Sequence, residues 1–146
     1  RNGGAGLAVL NLDPATKATF TLLRSTVSGN GNNGIVLDTA GAITLDGVMV
    51  ERNGGDYGVL ITNDGAFKPV VIRDRLGPAV IQRNGGTGLF IQKVGAVTLS
   101  GLSVNNNLQT GVQVNNLDSG QSVNLSRVKV TGNGVSGGAV STNGGG

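Results

Sequence analysis

Asn-Gly recurs along this chain at Asn2, Asn30, Asn53, Asn84 and Asn133, and Asn107-Leu108 fills the one gap in the series. The successive intervals are 28, 23, 31, 23 and 26 residues. Self-similarity at a period of roughly 20 to 50 residues marks a repeat architecture, in which each unit cannot bury its apolar face alone. Neighbouring units must then stack and share one continuous core. Such a chain is first a scaffold, and any chemistry is an addition to it.

The two 23-residue units show what one repeat contains. After Asn30 come Gly34-Ile35-Val36-Leu37, Gly41-Ala42-Ile43-Thr44-Leu45 and Gly47-Val48-Met49-Val50. After Asn84 come Gly88-Leu89-Phe90-Ile91, Gly95-Ala96-Val97-Thr98-Leu99 and Gly101-Leu102-Ser103-Val104. Each unit holds three short segments of alternating apolar residues, which is the signal of a half-buried strand. None has a helical period, and the density of Gly and β-branched residues opposes helix.

Aligned on the Asn, the inward positions form columns. The first strand supplies Leu7 and Val9, Ile35 and Leu37, Val59 and Ile61, Leu89 and Ile91, Val112 and Val114. The second supplies Phe20 and Leu22, Ile43 and Leu45, Val70 and Ile72, Val97 and Leu99, Val123 and Leu125. The third supplies Ser25 and Val27, Val48 and Val50, Ala79 and Ile81, Leu102 and Val104, Val128 and Val130. Ser25 is the single polar residue among them. The longer intervals place their extra residues between strands, around Asp13-Pro14-Ala15, before Tyr57, near Asp64-Gly65-Ala66, near Arg75-Leu76-Gly77-Pro78 and near Asp118-Ser119-Gly120. Loops are where a solenoid tolerates insertion. Strands stacking on their equivalents about 4.8 Å away bury one aliphatic column. The expected fold is all-β, a parallel β-helix with three short strands per coil and about five to six coils. Residues 1–146 read as a single segment, an excerpt of a longer array.

Composition narrows the function classes. The chain has 27 Gly among 146 residues and only three Phe and one Tyr, so its core must be aliphatic. With no Cys and no His it has neither thiolate ligands nor the commonest acid/base and metal-binding side chain. A net charge of +3 with so few aromatics argues against nucleic acid as a partner. No apolar run approaches the roughly 18 residues of a membrane span.

Asn-Gly-x-x-Gly-apolar-x-apolar followed by two more short strands resembles the right-handed parallel β-helix repeat of the pectate-lyase-like superfamily. The resemblance covers residues 2–134, and is nearest to Gly/Asn-rich arrays in large bacterial secreted or surface proteins. It implies a right-handed coil, in keeping with the rule for parallel crossovers. It also implies an amide ladder at Asn2, Asn30, Asn53, Asn84, Asn107 and Asn133. Asn suits that turn because it tolerates left-handed backbone and its amide can bond neighbouring coils.

Related β-helix enzymes cleave acidic polysaccharides with clustered Asp residues or Asp-held calcium. Acid/base chemistry on a glycosidic bond needs two carboxyls within about 5 to 9.5 Å. Here charges gather only where Asp46 stacks under Arg73, with Asp74 and Arg75 beside it. A salt-bridged surface cluster explains it better than a site. No catalytic, cofactor or metal residue is assigned, and the segment is not expected to be an enzyme.

Three surface features remain. Arg1, Arg52 and Arg83 precede their Asn in a thrice-repeated Arg-Asn-Gly-Gly. They form either a strip for anions or polysaccharide, or a solvated turn. Thr21, Thr44 and Thr98 make an outward column, but their flanks are too uneven for an ice-binding array, and a plain β-branched ladder is expected. Ala8, Val36, Leu60 and Phe90 succeed one another where polar residues belong, with Met49 and Val80 as a shorter patch. Contiguous apolar surface marks an interface more often than scattered residues do.

The expected function is a structural segment of a large secreted surface protein, adhesin or extracellular filament. Its partners are further repeats or copies of itself, assembling laterally or end to end, with extracellular polysaccharide as another candidate. The alternatives are a non-catalytic part of a polysaccharide-active or tail-spike-like protein, and a polysaccharide-binding module.

Overall fold

Sixteen short strands follow one another with no helix among the described residues. The structure is a computed structural model that describes residues 2–11, 13, 18–63, 67–116 and 121–142. In chain order the strands are β1 (Leu7–Asn11), β2 (Phe20–Leu23), β3 (Thr26–Ser28), β4 (Ile35–Thr39), β5 (Ile43–Asp46), β6 (Met49–Glu51), β7 (Tyr57–Thr62) and β8 (Val70–Arg73). They continue as β9 (Ala79–Gln82), β10 (Thr87–Gln92), β11 (Val97–Ser100), β12 (Leu102–Asn105), β13 (Val112–Asn116), β14 (Val123–Ser126), β15 (Lys129–Thr131) and β16 (Gly138–Thr142).

Every third strand pairs, always in parallel. One sheet runs β1-β4-β7-β10-β13-β16, a second β2-β5-β8-β11-β14 and a third β3-β6-β9-β12-β15. The chain therefore makes about five turns of a three-sided parallel solenoid. The register is the one the Asn alignment predicts, with Ile35 on Val59, Val59 on Leu89 and Leu89 on Val112. A slip of one residue would turn every inward side chain to solvent, so a buried column holds the register fixed.

The core is the expected aliphatic column through the middle coils, whereas Leu125, expected to point inward, is exposed on β14 at the end of its sheet. Ile35, Leu37, Ile43, Val59, Ile61, Val70, Leu89, Ile91, Val97 and Leu99 are all buried. Fully burying a side chain of this kind contributes roughly 1.5–3 kcal/mol. Ser25, the polar exception, donates its hydroxyl to the Leu23 carbonyl at 2.7 Å, so its polarity is satisfied locally.

Sharp corners between strands use left-handed backbone. After the third strand of each coil, Gly29, Arg52, Arg83, Asn106 and Gly132 have φ of 69°, 55°, 55°, 55° and 65°. The sequence expectation put the left-handed residue at the ladder Asn. Instead it is the residue before it, because the ladder Asn must keep its own N–H pointing along the stack. Of the insertions, the Arg75–Pro78 loop lies between β8 and β9 as expected. Those at Pro14-Ala15, Asp64-Gly65-Ala66 and Asp118-Ser119-Gly120 lie outside the described residues.

Candidate functional site

The corner between the third and first sheets is built on amides. Asn30 donates its backbone N–H and its Nδ2–H to Asn53 Oδ1, at 3.1 and 2.8 Å. Asn53 does the same to Asn84, Asn84 to Asn107 and Asn107 to Asn133. The Nδ2 groups of Asn53, Asn84, Asn107 and Asn133 also donate to a third-strand carbonyl on the preceding coil, Val27, Val50, Ile81 and Val104 respectively. Both amide ends are thus used inside a buried column, which is what makes burial of a polar side chain tolerable.

Five of the six expected ladder residues join this chain of bonds. Asn2 occupies the corner of the first coil, where its carbonyl accepts from Gly31 N–H at 2.6 Å. Its side chain closes its own turn instead, through Gly4 N–H and the Ala5 carbonyl.

A second buried set lies at the corner after the first sheet. Asn63 donates to the Gly41 carbonyl at 2.7 Å and accepts from Lys68 N–H. Asn116 donates to the Gly95 carbonyl and accepts from Val94 N–H, both at 3.0 Å. The Asn-Gly series does not contain these two. Their signal is position alone, since both stand at the end of the first strand of their coil, Asn63 just after β7 and Asn116 as the last residue of β13.

Outside the ladder runs an open groove of about 330 Å³, flanked by Arg52, Arg83 and Asn106 over a floor that includes Gly54 and Gly85. Arg1, the third member of the expected strip, lies outside the described residues. Arg52 pairs with its neighbour Glu51 at 3.0 Å, and the other Glu51 oxygen accepts from Gln82.

The charge cluster separates into two pairs. Asp46 is buried, accepting from Arg73 Nε at 2.6 Å and Leu76 N–H at 2.8 Å. Burial raises its pKa, but these bonds, the Arg73 charge and the Arg75 backbone outweigh burial and hold it below the usual carboxylate value. Asp74 turns away and meets Arg127, two coils on, at 3.1 Å. Gly101 makes room for it, since a Cβ there would sit 2.0 Å from the Asp74 carboxyl carbon. Among the described residues no three carboxylates gather as a metal site would need.

The apolar stripe is in register. Ala8 stacks on Val36, Val36 on Leu60, Leu60 on Phe90, and Phe90 on Gln113. Ala8 is exposed, and Val36, Leu60 and Phe90 are half-buried on the outer face. Tyr57, absent from the expected set, joins them with its ring 5.3 Å from that of Phe90. Met49 and Val80 pair and are half-buried on the third sheet.

The profile of the family described as "Right handed beta helix region" matches residues 8–146. The chain belongs to that family. Comparison with curated proteins and with solved structures finds no match. A right-handed β-helix with this ladder is consistent with the pectate-lyase-like superfamily, and with structural or polysaccharide-related proteins. No helix is long and apolar enough to cross a membrane among the described residues.

Proposed function

We propose that this β-helix is a structural segment of a large secreted or cell-surface protein, such as an adhesin or extracellular filament, and that it associates laterally through its first sheet. The apolar column Ala8–Val36–Leu60–Phe90, extended by Tyr57, carries this reading. Polar residues belong on the outer face of a sheet wetted by solvent, and covering this column removes contiguous apolar surface from water. The best-placed acidic groups support a structural role. Asp46 and Asp74 are each engaged by an arginine rather than poised opposite one another.

Electron microscopy and light scattering of the wild type against a Leu60→Asp, Phe90→Asp double variant test the reading. Larger assemblies in the wild type that disperse in the variant, with unchanged β-sheet circular dichroism, are the expected result. Assemblies that survive both changes would remove this face as the interface. Release of oligosaccharide from pectin or alginate that is abolished by Asp46→Asn would overturn the structural reading in favour of an enzyme.

A further inference from the structure

Arg52 and Arg83 occupy equivalent positions on adjacent coils, and both hold left-handed backbone at φ 55°. Gly29, Asn106 and Gly132 fill the same column on the other coils. Gly and Asn enter that conformation readily, whereas a long side chain with a Cβ is strained there. Backbone strain that is kept at a surface corner is a pointer to function. Stacking places the two Arg backbones about 4.8 Å apart, so two like charges share one small patch.

Electrostatics at this corner are unbalanced. Arg52 has Glu51 beside it in the chain, but that carboxylate also holds Gln82. Arg83 has no carboxylate partner among the described residues, and no carboxylate lines the groove between the two. Arg127, which is also left-handed, shows the other case, with its guanidinium paired to Asp74.

The groove's other donors are already in use. Gly54 and Gly85 give their N–H groups to Asn30 and Asn53 carbonyls, and the ladder amides are bonded to one another. What remains on the lining is the Arg83 guanidinium and the Arg52 guanidinium, which holds Glu51 through one nitrogen, beside Leu108 and over the Gly54 and Gly85 backbone. A ligand there must bring negative charge and acceptor oxygens. Planar guanidinium forks match a carboxylate, sulfate or phosphate, and such charge-assisted bonds are the strong ones. A volume of about 330 Å³ suits a group of that size on a single sugar-sized unit.

We infer that the Arg52–Arg83 corner is an oxyanion-binding site, which holds one carboxylate, sulfate or phosphate group between two guanidiniums on successive coils. The group can arrive as a free ion or carried on a polymer. The site uses none of the residues of the apolar column, so its loss leaves assembly unchanged.

Isothermal titration of the whole chain at low ionic strength tests this, with sodium sulfate, inorganic phosphate, polygalacturonate and dextran sulfate as probes and neutral dextran as blank. The decisive variant is Arg52→Asn with Arg83→Asn, because Asn106 already shows that Asn fits this column. Its thermal midpoint should match or exceed the wild type, while affinity falls about tenfold or more. Arg24→Asn is the control. Arg24 is likewise left-handed, at φ 45°, but on another corner, so binding should survive its replacement. Binding of free sulfate or phosphate assigns the ion as ligand, and binding of the polymers alone assigns a polymer-borne group. No binding of any probe overturns the inference. So does affinity that is undiminished in the double variant, or lost equally in Arg24→Asn.

Discussion

Asn84 Oδ1 accepts two hydrogen bonds from Asn53, one from the backbone N–H at 3.1 Å and one from Nδ2 at 3.0 Å. The same Asn84 donates through Nδ2 to Asn107 Oδ1 and to the Val50 carbonyl. One buried amide therefore ties together three coils, and it does so at a fully buried position.

Asn84→Ala removes an acceptor from two donors and a donor from two acceptors. An unmade buried bond costs about 1–3 kcal/mol, so a loss of several kcal/mol is expected. Asn84→Asp is the sharper test, because it keeps shape and acceptor but lacks the Nδ2 donor. Its carboxylate would face Asn107 Oδ1 in a buried column, which raises its pKa. With a raised folded pKa the penalty is relieved as pH falls and is full at neutral pH. Thermal melts of Asn84→Asp should recover part of the lost stability between pH 7 and pH 4. A variant equally unstable at both would show that the ladder depends on shape alone.

The glycine at the start of the first strand is fixed by the ladder in five coils, at Gly6, Gly34, Gly58, Gly88 and Gly111. At Gly88 a Cβ would lie 2.6 Å from Asn107 Nδ2, 2.6 Å from the Gly111 carbonyl and 2.7 Å from Val104 Cγ1. Gly88→Ala should cost about 1–3 kcal/mol by overpacking, read from denaturant unfolding. Gly29 is the contrast, with open space around its Cβ position but φ +69°. Gly29→Ala should cost about 1 kcal/mol from backbone strain alone, and Gly29→Asn less.

Gly101 separates the two causes in another way, since it has both φ +64° and the Asp74 carboxylate in its Cβ space. Gly101→Ala should displace Asp74 and break its pair with Arg127. That pair is exposed on the Arg side, so it adds at most about 1 kcal/mol to the strain. A Gly101→Ala, Asp74→Ala double variant should therefore be no worse than Gly101→Ala, which chemical denaturation can check.

The coil was legible because its period of 23 residues and its alternating strands obey local rules that hold in every repeat. Columns such as Ile43–Val70–Val97 are then fixed by the pleat. The left-handed corners were misplaced by one residue, since Asn53 tolerates that backbone but its N–H is needed by Asn84. The Asp46 cluster was legible only as a neighbourhood. Sequence spacing brings Asp46 to Arg73, but the direction in which Asp74 turns depends on Gly101 and Arg127, which are one and two coils away. The unequal standing of Arg52 and Arg83 likewise depends on how Glu51 divides its two oxygens between Arg52 and Gln82.

Asp46 links the β5 corner to the loop inserted between β8 and β9, and it gives the fold an acid-sensitive joint. Its carboxylate is buried, with Arg73 on one oxygen and Leu76 N–H on the other. Burial acts to raise its pKa, but the Arg73 bond, the Leu76 bond and the Arg73 charge bring the net value below the ordinary one. A group whose folded pKa is depressed contributes stability above its unfolded pKa of about 3.9 and loses it as pH falls through the folded value. Asp46→Asn keeps the size but removes the charge, so it should cost about 1–3 kcal/mol at pH 7. The difference in thermal midpoint between wild type and Asp46→Asn should hold constant above about pH 5 and shrink below about pH 4. A difference that persists unchanged in acid would mean that the carboxylate's charge does not hold this loop. Proteolysis within Arg75–Pro78 offers a local readout, with cleavage there rising in the variant at pH 7 and in the wild type only in acid.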